Sequence, residues 1–311
     1  MRILFTGASS FTGAWFVREL AAAGHQVTAV FTRGQDEYPD ALRRERVALV
    51  SRSCRPVYGL RFGDERFLEL CGEGGWDVLA HHAADVSDYK SPAFDVVGAL
   101  GRNTHSLAGV LEALRAGGCR RVLLTGSVFE GGEGAGSDGL PDFSPYGLSK
   151  ALTAQVFRFY CARAGLGLGK LVIPNPFGPH EEPRFTAYLM RCWLSGKSAS
   201  CANPAYVRDN IHVSLLSKVY ARFAADLPEK GFVRLNPSGY VESQGAFTAR
   251  VAAEMRSRLG RECALELAVQ TAFPEPRVRI NTDVPDLAGL GWSEAQAWDG
   301  MARWYLERAG A

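Results

Sequence analysis

Two residues four positions apart, Tyr146 and Lys150, form the pair in this sequence best suited to proton transfer. Apolar residues at helical spacing predict a helix over 146–164, and residues i and i+4 lie on one helix face. An ammonium group beside a phenol favours the phenolate, so Tyr146 could exchange a proton with a substrate oxygen. We therefore predict that Tyr146 and Lys150 are catalytic.

A glycine-containing turn, Thr6 to Gly13, joins the first predicted strand to the first predicted helix. Gly7 can adopt the backbone angles of a sharp turn, and Gly13 lets the helix pack closely on the sheet. The helix N-terminus would present amide donors and a positive dipole to a pyrophosphate. We predict a dinucleotide site at this turn, to which these residues also contribute: Ser9, Ser10, Phe11 and Thr12.

The elements that must position these residues form a regular alternation. Short β-rich runs alternate with helical patterns up to about residue 173, which is typical of a parallel sheet with helices on both faces. Within it we expect one long helix over about 94–116 and a glycine-rich loop over 131–139. The predicted fold class is α/β, a Rossmann-like doubly wound sheet with a smaller, discontinuous C-terminal lobe.

The division into domains follows the point where this alternation stops, at the proline pair after residue 173. We assign residues 1–173 and about 207–236 to the dinucleotide-binding domain. Residues about 174–206 and 237–311 form the predicted substrate lobe.

Composition excludes several classes of partner. The 311 residues carry a net charge of +2, which gives no whole-chain reason to expect nucleic acid. No apolar run reaches the ~18 residues of a membrane-spanning helix. The 7 cysteines are scattered without a CxxC pair, so we expect free thiols and no metal site. No charged leader with a cleavage site is visible, and we expect a cytoplasmic protein.

With the turn and the YxxxK pair in place, the sequence resembles the extended short-chain dehydrogenase/reductase family of nucleotide-sugar epimerases, dehydratases and ketoreductases. The family's usual turn is TGxxGxxG, and here Ser10 replaces the middle glycine, which would add a side chain near the pyrophosphate. The resemblance implies that hydride passes at a substrate carbon while Tyr146 moves the proton. It also implies that Lys150 reaches the nicotinamide ribose.

The resemblance further implies a catalytic hydroxyl at the end of the fifth strand. The family's TSS signature places it on Ser127, but the following Val128-Phe129-Glu130 is shorter than usual by one residue, so Thr125 is the alternative. Val128 and Phe129 stand where dehydratases of the family carry an Asp-Glu pair. Their presence argues against 4,6-dehydration.

The end of the second strand bears on the choice of cofactor. An acid there would accept hydrogen bonds from both ribose hydroxyls of NAD, whereas an arginine can pair with the 2′-phosphate of NADP. The sequence has Thr32-Arg33 and no acid at this point. We expect NADP rather than NAD, with Arg33 on the phosphate. The nearby Arg43, Arg44 and Arg46 could join Arg33 on the phosphate, although a run of charges more often forms a solvated face.

Two other segments resemble parts of the family's cofactor site. His81-His82-Ala83-Ala84 resembles the motif HxAA, whose backbone passes the cofactor, so His81, Ala83 and Ala84 are assigned to that site. Asn103 matches an asparagine that the family places behind the active site. Because adjacent strand residues point to opposite faces, the paired histidines are poorly placed to chelate a metal.

The predicted substrate residues come from the second half of the chain. Pro174 to His180 resembles the family segment that turns over the nicotinamide. Pro174 would lie at the cofactor, Asn175 would meet the sugar diphosphate, and His180 could supply an extra acid. Arg208 and Arg277 resemble arginines whose planar guanidinium grips the substrate diphosphate.

These residues together imply an NADP-dependent oxidoreductase that acts on a nucleotide-diphosphate sugar as a homodimer, in the first instance a 4-ketoreductase. The alternative is an NAD(P)-dependent nucleotide-sugar epimerase, which returns the hydride to the opposite face of the sugar. A further alternative is an inactive NADP-binding sensor, against which the intact Tyr146 and Lys150 pair argues.

Overall fold

The computed structural model describes residues 1–310, and the chain divides into two compact units. The first unit consists of Met1–Glu133, Pro141–Ile173 and Ser217–Asn236. The second consists of Gly134–Leu140, Pro174–Leu216 and Pro237–Ala311. Two segments therefore lie elsewhere than the sequence placed them, because residues 207–216 and 134–140 both belong to the second unit.

A parallel sheet forms the centre of the first unit. Its strands, numbered along the whole chain, are β1 (Arg2–Thr6), β2 (Gln26–Val30), β3 (Arg55–Val57), β4 (Val78–His81), β5 (Arg121–Ser127), β7 (Gly167–Ile173) and β11 (Phe232–Leu235). The 7-stranded order is β11-β7-β5-β4-β1-β2-β3, and every neighbouring pair is parallel. The order turns around at β1 and β4, as in a doubly wound sheet, so the predicted fold class is confirmed.

The helices that accompany this sheet are α1 (Phe11–Ala22), α2 (Ala41–Ser51), α3 (Glu65–Gly72), α4 (Val96–Asn103), α5 (Leu107–Ala116), α6 (Pro145–Ala164) and α8 (Val213–Ala225). The central strands carry apolar runs because they are buried on both faces. Leu79, Val122 and Leu168 belong to one apolar cluster with Leu111 of α5 and Phe157 of α6. This core holds the carboxyl ends of β1, β4 and β5 in fixed register.

The helix predicted over 94–116 is wrong in one respect, because it is two helices. The chain breaks between α4 and α5, where Ser106 adopts a left-handed conformation with φ of 48°. At this point the backbone of His105 approaches Gly63 so closely that a Cβ on Gly63 would overlap the His105 carbonyl oxygen. A contact with a distant segment thus interrupts a continuous helical pattern.

The second unit is built on a mixed sheet. Its elements are β6 (Ala135–Gly136), β8 (Asn175–Phe177), α7 (Phe185–Leu194), β9 (Ala199–Cys201), β10 (Val207–His212), β12 (Tyr240–Ser243), α9 (Gln244–Leu259), β13 (Leu265–Leu267), β14 (Val278–Ile280) and α10 (Glu294–Ala309). The order is β12-β10-β14-β6, with β8 on β10 and a separate pair β13-β9. β10 pairs with β8, β12 and β14, so residues 207–212 form the central strand of this sheet.

Part of the segment expected as a loop over 131–139 is a strand. Ala135 and Gly136 form β6, which pairs antiparallel with Ile280 and Arg279 of β14. In residues 1–310, no helix is long and apolar enough to cross a membrane. The same residues hold no group of three or more His, Cys, Asp or Glu side chains arranged for a metal ion.

Candidate active site

The turn between β1 and α1 has the geometry of an anion cradle. Gly7 lies at φ of 84°, and a Cβ there would stand 2.7 Å from the backbone nitrogen of Ala83. Only glycine permits this approach of two backbones. The first turn of α1 contains no acidic residue, so the positive end of the helix remains available to an anion. The turn therefore fits the pyrophosphate of a dinucleotide.

Ser10 begins α1 as its N-cap, and its side chain is turned into the protein. Its Oγ accepts a hydrogen bond from the Gly13 backbone nitrogen at 3.1 Å and donates one to the Gly7 carbonyl at 2.9 Å. It also lies 3.0 Å from Nε2 of His82. The sequence suggested that this serine adds a side chain toward the pyrophosphate, whereas the structure uses it to brace the turn internally.

His82 connects this turn with the end of β5. Its Nε2 lies 3.1 Å from the Thr12 hydroxyl, and its Nδ1 lies 3.0 Å from the Thr125 hydroxyl. Burial, and after it the positive charge of Lys150, lowers the pKa of His82 to about 3. The ring is therefore neutral at neutral pH, with one donor and one acceptor nitrogen. The sequence prediction missed this role. Two departures from the family motifs could have indicated it: the second histidine of HHAA, and Ser10 in place of the middle glycine of the turn.

His81 faces the other side of the strand. Its ring packs against Phe62 and Phe157, with centroids 4.1 and 5.0 Å away, and its Nδ1 lies 3.0 Å from the Thr6 hydroxyl. The predicted role of the motif concerned the backbone, and there the Ala83 nitrogen donates to the same Thr6 hydroxyl at 3.2 Å. The backbone of the motif thus lies against the turn, while the side chain of His81 belongs to the core.

Asn103 connects the loop after β4 with α6, the helix that carries Tyr146 and Lys150. Its Oδ1 accepts from the Asp85 backbone nitrogen at 2.8 Å, and its Nδ2 donates to the Thr153 hydroxyl of α6 at 3.3 Å. Arg102 holds the Asp85 carboxylate at 2.6 Å. Asn103 is therefore a buried brace between two parts of the candidate site.

Tyr146 and Lys150 stand on the first two turns of α6. The helix begins at N-cap Ser144, whose Oγ accepts from the Gly147 backbone nitrogen at 3.2 Å. The ring of Tyr146 is half-buried, with Tyr89 and Phe94 at centroid distances of 5.5 and 6.0 Å. These aromatic rings limit the positions that the Tyr146 side chain can adopt.

Lys150 is 5% exposed, and its Nζ donates to the Thr125 carbonyl at 2.6 Å. Burial lowers its pKa to about 8, with a smaller opposing effect of Glu130 and a lowering effect of Lys170. Lysine side chains ordinarily hold their proton until pH 10 or so. The predicted catalytic lysine is thus a buried group whose pKa lies closer to neutral pH than usual.

The two candidate hydroxyls differ in their surroundings. Thr125 is 3% exposed, and its hydroxyl contacts His82. Ser127 is half-buried, and its Oγ accepts a hydrogen bond from the Phe129 backbone nitrogen at 3.2 Å. The Ser127 hydroxyl can accept that bond and still donate its own proton.

A buried cluster of charges lies behind Ser127. Lys170 of β7 pairs with Glu130 and with Glu133, the latter at 2.8 Å. Glu130 also accepts a hydrogen bond from the Ser127 backbone nitrogen at 2.7 Å. A Cβ on Gly126 would lie 2.5 Å from Cε of Lys170, so glycine at this position leaves room for the lysine. The sequence signal was a lysine inside the otherwise apolar strand β7.

The arginines near β2 also differ from expectation. Arg33 is exposed. Arg46, interpreted from sequence as part of a solvated face, is 1% exposed, and its Nε donates to the Ser9 carbonyl at 3.0 Å. Arg46 therefore supports the phosphate turn from α2, a role that its position in a run of arginines did not indicate.

The structure places Pro174 and the predicted substrate residues in the second unit. Pro174 is buried. Asn175 lies in β8, and its amide donates to the Asp209 carbonyl at 2.9 Å. His180 has a left-handed backbone with φ of 68°, and its ring lies 5.2 Å from that of Trp304.

Arg208 lies in β10, where it pairs with Arg279 of β14, and Arg277 directly precedes β14. The Arg208 guanidinium donates to the carbonyls of Pro276 and Arg277 at 3.0 and 3.3 Å and pairs with Glu275 at 3.0 Å. Arg277 is exposed and lies 3.8 Å from the Phe273 ring centroid. Arg208 is thus committed to local contacts, while the charge of Arg277 faces solvent.

Comparison with known proteins places this geometry in context. The model of the NAD dependent epimerase/dehydratase family matches residues 3–231. A UDP-glucose 4-epimerase of Mycolicibacterium smegmatis is 26% identical over 261 residues, which cover 78% of this chain and 79% of that protein.

Among solved structures, the UDP-glucuronic acid 4-epimerase of Bacillus cereus, crystallised with UDP-glucuronic acid and NAD, superposes with a TM-score of 0.74. Its sequence is 16% identical, and the match covers 99% of this chain and 100% of that one. The UDP-glucose 4-epimerase of Thermotoga maritima superposes with a TM-score of 0.73 at 18% identity, covering 99% of both chains. At these identities the two structures show a shared fold.

Proposed function

Because the chain belongs to the NAD dependent epimerase/dehydratase family and is therefore an NAD(P)-dependent enzyme, we propose that it epimerises a sugar carried on a nucleoside diphosphate. The family resemblance expected from sequence is confirmed by the family match. The type of reaction and the substrate are what we propose in addition to this family membership. The curated relative, a UDP-glucose 4-epimerase, favours epimerisation over the 4-ketoreductase reaction that we expected first.

The observation that carries the proposal is the environment of Lys150. Its ammonium group is buried one helical turn from Tyr146 and is held against the carbonyl of Thr125. A cation fixed there favours the Tyr146 phenolate, which can take a proton from a sugar hydroxyl and later return it. An enzyme that oxidises and re-reduces the same carbon needs such a reversible acid and base.

Three side chains have separate roles in the proposed reaction. Ser127 donates a hydrogen bond to the reacting sugar oxygen, since its Oγ is half-buried and keeps its proton for donation. Tyr146 accepts the proton from that oxygen. Lys150 balances the phenolate charge. A bound nicotinamide dinucleotide supplies the acceptor, and then the donor, of the hydride. Thr125 is the weaker candidate hydroxyl because it is engaged with His82.

The residues present fit a dinucleotide, held by the Gly7 turn and the open N-terminus of α1. The choice between NAD and NADP rests on Arg33. An exposed arginine after β2, with no acid at the strand end, supports NADP. The family description and the cofactor of the Bacillus cereus enzyme support NAD.

A 4-ketoreductase is the second candidate, and Arg33 is the observation that favours it. Net reduction draws on NADPH, whereas an epimerase returns its hydride to the sugar and consumes no cofactor. The two reactions use the same Tyr146, Lys150 and Ser127, so these residues support the proton and hydride transfer that both share. The preference for epimerisation comes from the UDP-glucose 4-epimerase relative.

The test is to incubate the purified protein with UDP-sugars and, separately, with 4-keto nucleotide sugars, each with NAD⁺, NADH, NADP⁺ or NADPH. An epimerase converts the UDP-sugar to its stereoisomer without net change in dinucleotide absorbance. Stoichiometric loss of NADPH with a keto sugar would replace the proposal with the ketoreductase. If none of the four dinucleotides binds or supports turnover, both assignments fail.

A further inference from the structure

We propose that His82 is a positioning residue of the dinucleotide site, through which the phosphate turn and the catalytic strand β5 hold each other in place. The inference concerns dinucleotide binding. It rests on the dinucleotide dependence in the proposed function and is independent of which sugar reaction follows.

The argument begins with a continuous set of hydrogen bonds. From the turn, the Ser10 hydroxyl reaches the Gly7 carbonyl at 2.9 Å and His82 Nε2 at 3.0 Å. From the other ring nitrogen, His82 reaches the Thr125 hydroxyl at 3.0 Å. The carbonyl of the same Thr125 accepts from Lys150 Nζ at 2.6 Å. The imidazole is therefore the link between the phosphate turn and the catalytic lysine.

One protonation state of the ring satisfies all of these contacts at once. With the proton on Nε2, His82 donates to Ser10, and Ser10 can then donate to Gly7. The unprotonated Nδ1 accepts from the Thr125 hydroxyl. The ring is buried and close to the positive charge of Lys150, and both disfavour a protonated, positively charged imidazole. Aromatic contacts with Phe5 and Phe16, at 5.9 and 5.2 Å, fix the plane of the ring.

Ser10 and His82 depend on each other. A serine at this position brings a hydroxyl into a part-buried turn, where a polar group without a partner is costly. His82 is a third partner of that hydroxyl, besides Gly7 and Gly13, and the ring donates to Ser10 in return. A glycine at position 10, as in the family's usual turn, would remove this contact with the ring. We therefore expect the effects of changing the two residues on dinucleotide binding to be coupled.

The experiment is a double-mutant cycle on the full chain, with the dissociation constants of NAD⁺ and ADP-ribose measured by calorimetry. His82→Leu should weaken both by about tenfold, since it removes the ring that the Ser10, Thr12 and Thr125 hydroxyls all contact. In a protein that already carries Ser10→Gly, the same change should weaken binding much less, because the contact between Ser10 and His82 is already absent. His82→Gln, whose amide can both donate and accept, should bind more tightly than His82→Leu.

His81→Leu is the matched control, because it removes the neighbouring buried imidazole, which contacts Thr6 and does not contact Ser10. The changes that His81→Leu and Ser10→Gly cause in the dissociation constants should be independent of each other. Thermal unfolding of each variant shows whether it is still folded. The proposal is overturned if His82→Leu binds within about twofold of wild type, or if its effect and that of Ser10→Gly are independent. If the wild-type protein binds neither NAD⁺ nor ADP-ribose, both this inference and the proposed function are wrong.

Discussion

At the scale of single residues, the structure separates side chains that look equivalent in the sequence. Thr125 and Ser127 both end β5, yet one hydroxyl is engaged with His82 and the other can still donate. His81 and His82 are adjacent, yet His81 packs against Phe157 and contacts Thr6 at the end of β1, whereas His82 contacts Ser10 at the start of α1. Chemistry at this site therefore depends on the direction of each side chain as well as on its type.

The residue-scale prediction concerns the general acid and base. Tyr146→Phe should lower turnover by about 10²–10⁴-fold, because it removes the only group proposed to carry the proton. Tyr160→Phe is the matched control, since this tyrosine lies on the same helix with an exposed side chain, and its turnover should stay within about twofold of wild type. Steady-state rates with an identified sugar nucleotide measure both. A Tyr146→Phe enzyme within about tenfold of wild type would contradict the assignment.

At the scale of elements, β5 and β7 are held together by buried ion pairs as well as by their backbone hydrogen bonds. Lys170 of β7 is enclosed by Glu130 and Glu133, which follow β5, and Asn236 donates to Glu133 at 2.9 Å. Because Lys170 contacts two carboxylates, loss of Glu130 leaves the Lys170 and Glu133 pair in place, whereas loss of Lys170 removes the cation that both carboxylates contact. The cluster lies close enough to change the pKa of Lys150, which Glu130 raises and Lys170 lowers.

The element-scale prediction uses these opposite effects. If activity needs protonated Lys150, it falls as pH rises through the pKa of that lysine, which is about 8. Glu130→Gln removes a charge that raises this pKa, so the alkaline limb of the pH–rate profile should move to lower pH. Lys170→Met should move it to higher pH.

Two controls accompany these variants. The double variant Glu130→Gln/Lys170→Met removes the pair as a neutral unit and should lie between the single variants. Glu112→Gln, at an exposed position on α5, should leave the profile unchanged. Shifts of the two single variants in the same direction would contradict the role assigned to the cluster.

At the scale of the whole molecule, the two units are stabilised in different ways. The first is organised by a parallel sheet with an apolar core. The second has a smaller sheet and an aromatic core that includes Phe177, Trp193 and Trp298, together with buried acids. Glu181 accepts hydrogen bonds from Thr186 of α7 at 2.7 Å and from Tyr305 of α10 at 2.9 Å. One buried carboxyl group therefore joins two helices of the second unit.

The whole-molecule prediction is a pH dependence of stability that arises from Glu181. Burial raises its pKa from 4.5 to about 7. The folded protein therefore holds this proton more tightly than the unfolded chain does. Its stabilising contribution is full below pH 4.5 and is lost as pH rises through about 7.

Urea unfolding of wild type and Glu181→Gln at pH 5 and pH 8 measures this contribution. The difference in free energy of unfolding between the two proteins should change by roughly 3 kcal/mol in favour of the variant between the two pH values. Glu229→Gln, at an exposed position, should show no such change. A Glu181→Gln difference that does not vary with pH would contradict the prediction.

The features that could be predicted from the sequence are those that depend on residues close together in the chain. Apolar periodicity and strand alternation predicted the doubly wound sheet, which the structure confirms. Short spacings predicted the phosphate turn and the Tyr146 and Lys150 pair, because a turn and one helix face are defined within a few residues. The assignment of individual site residues stays a prediction for experiment.

Only the tertiary structure decided which distant side chains meet. Ser10 and His82 are 72 positions apart, and Glu130 and Lys170 are 40 apart. No local pattern encodes such pairings, because strand order and register set them. The same reason explains the break between α4 and α5 at the contact of His105 with Gly63, and the pairing of β6 with β14. Local sequence determined what each element is, and long-range packing determined which groups it brings to the candidate site.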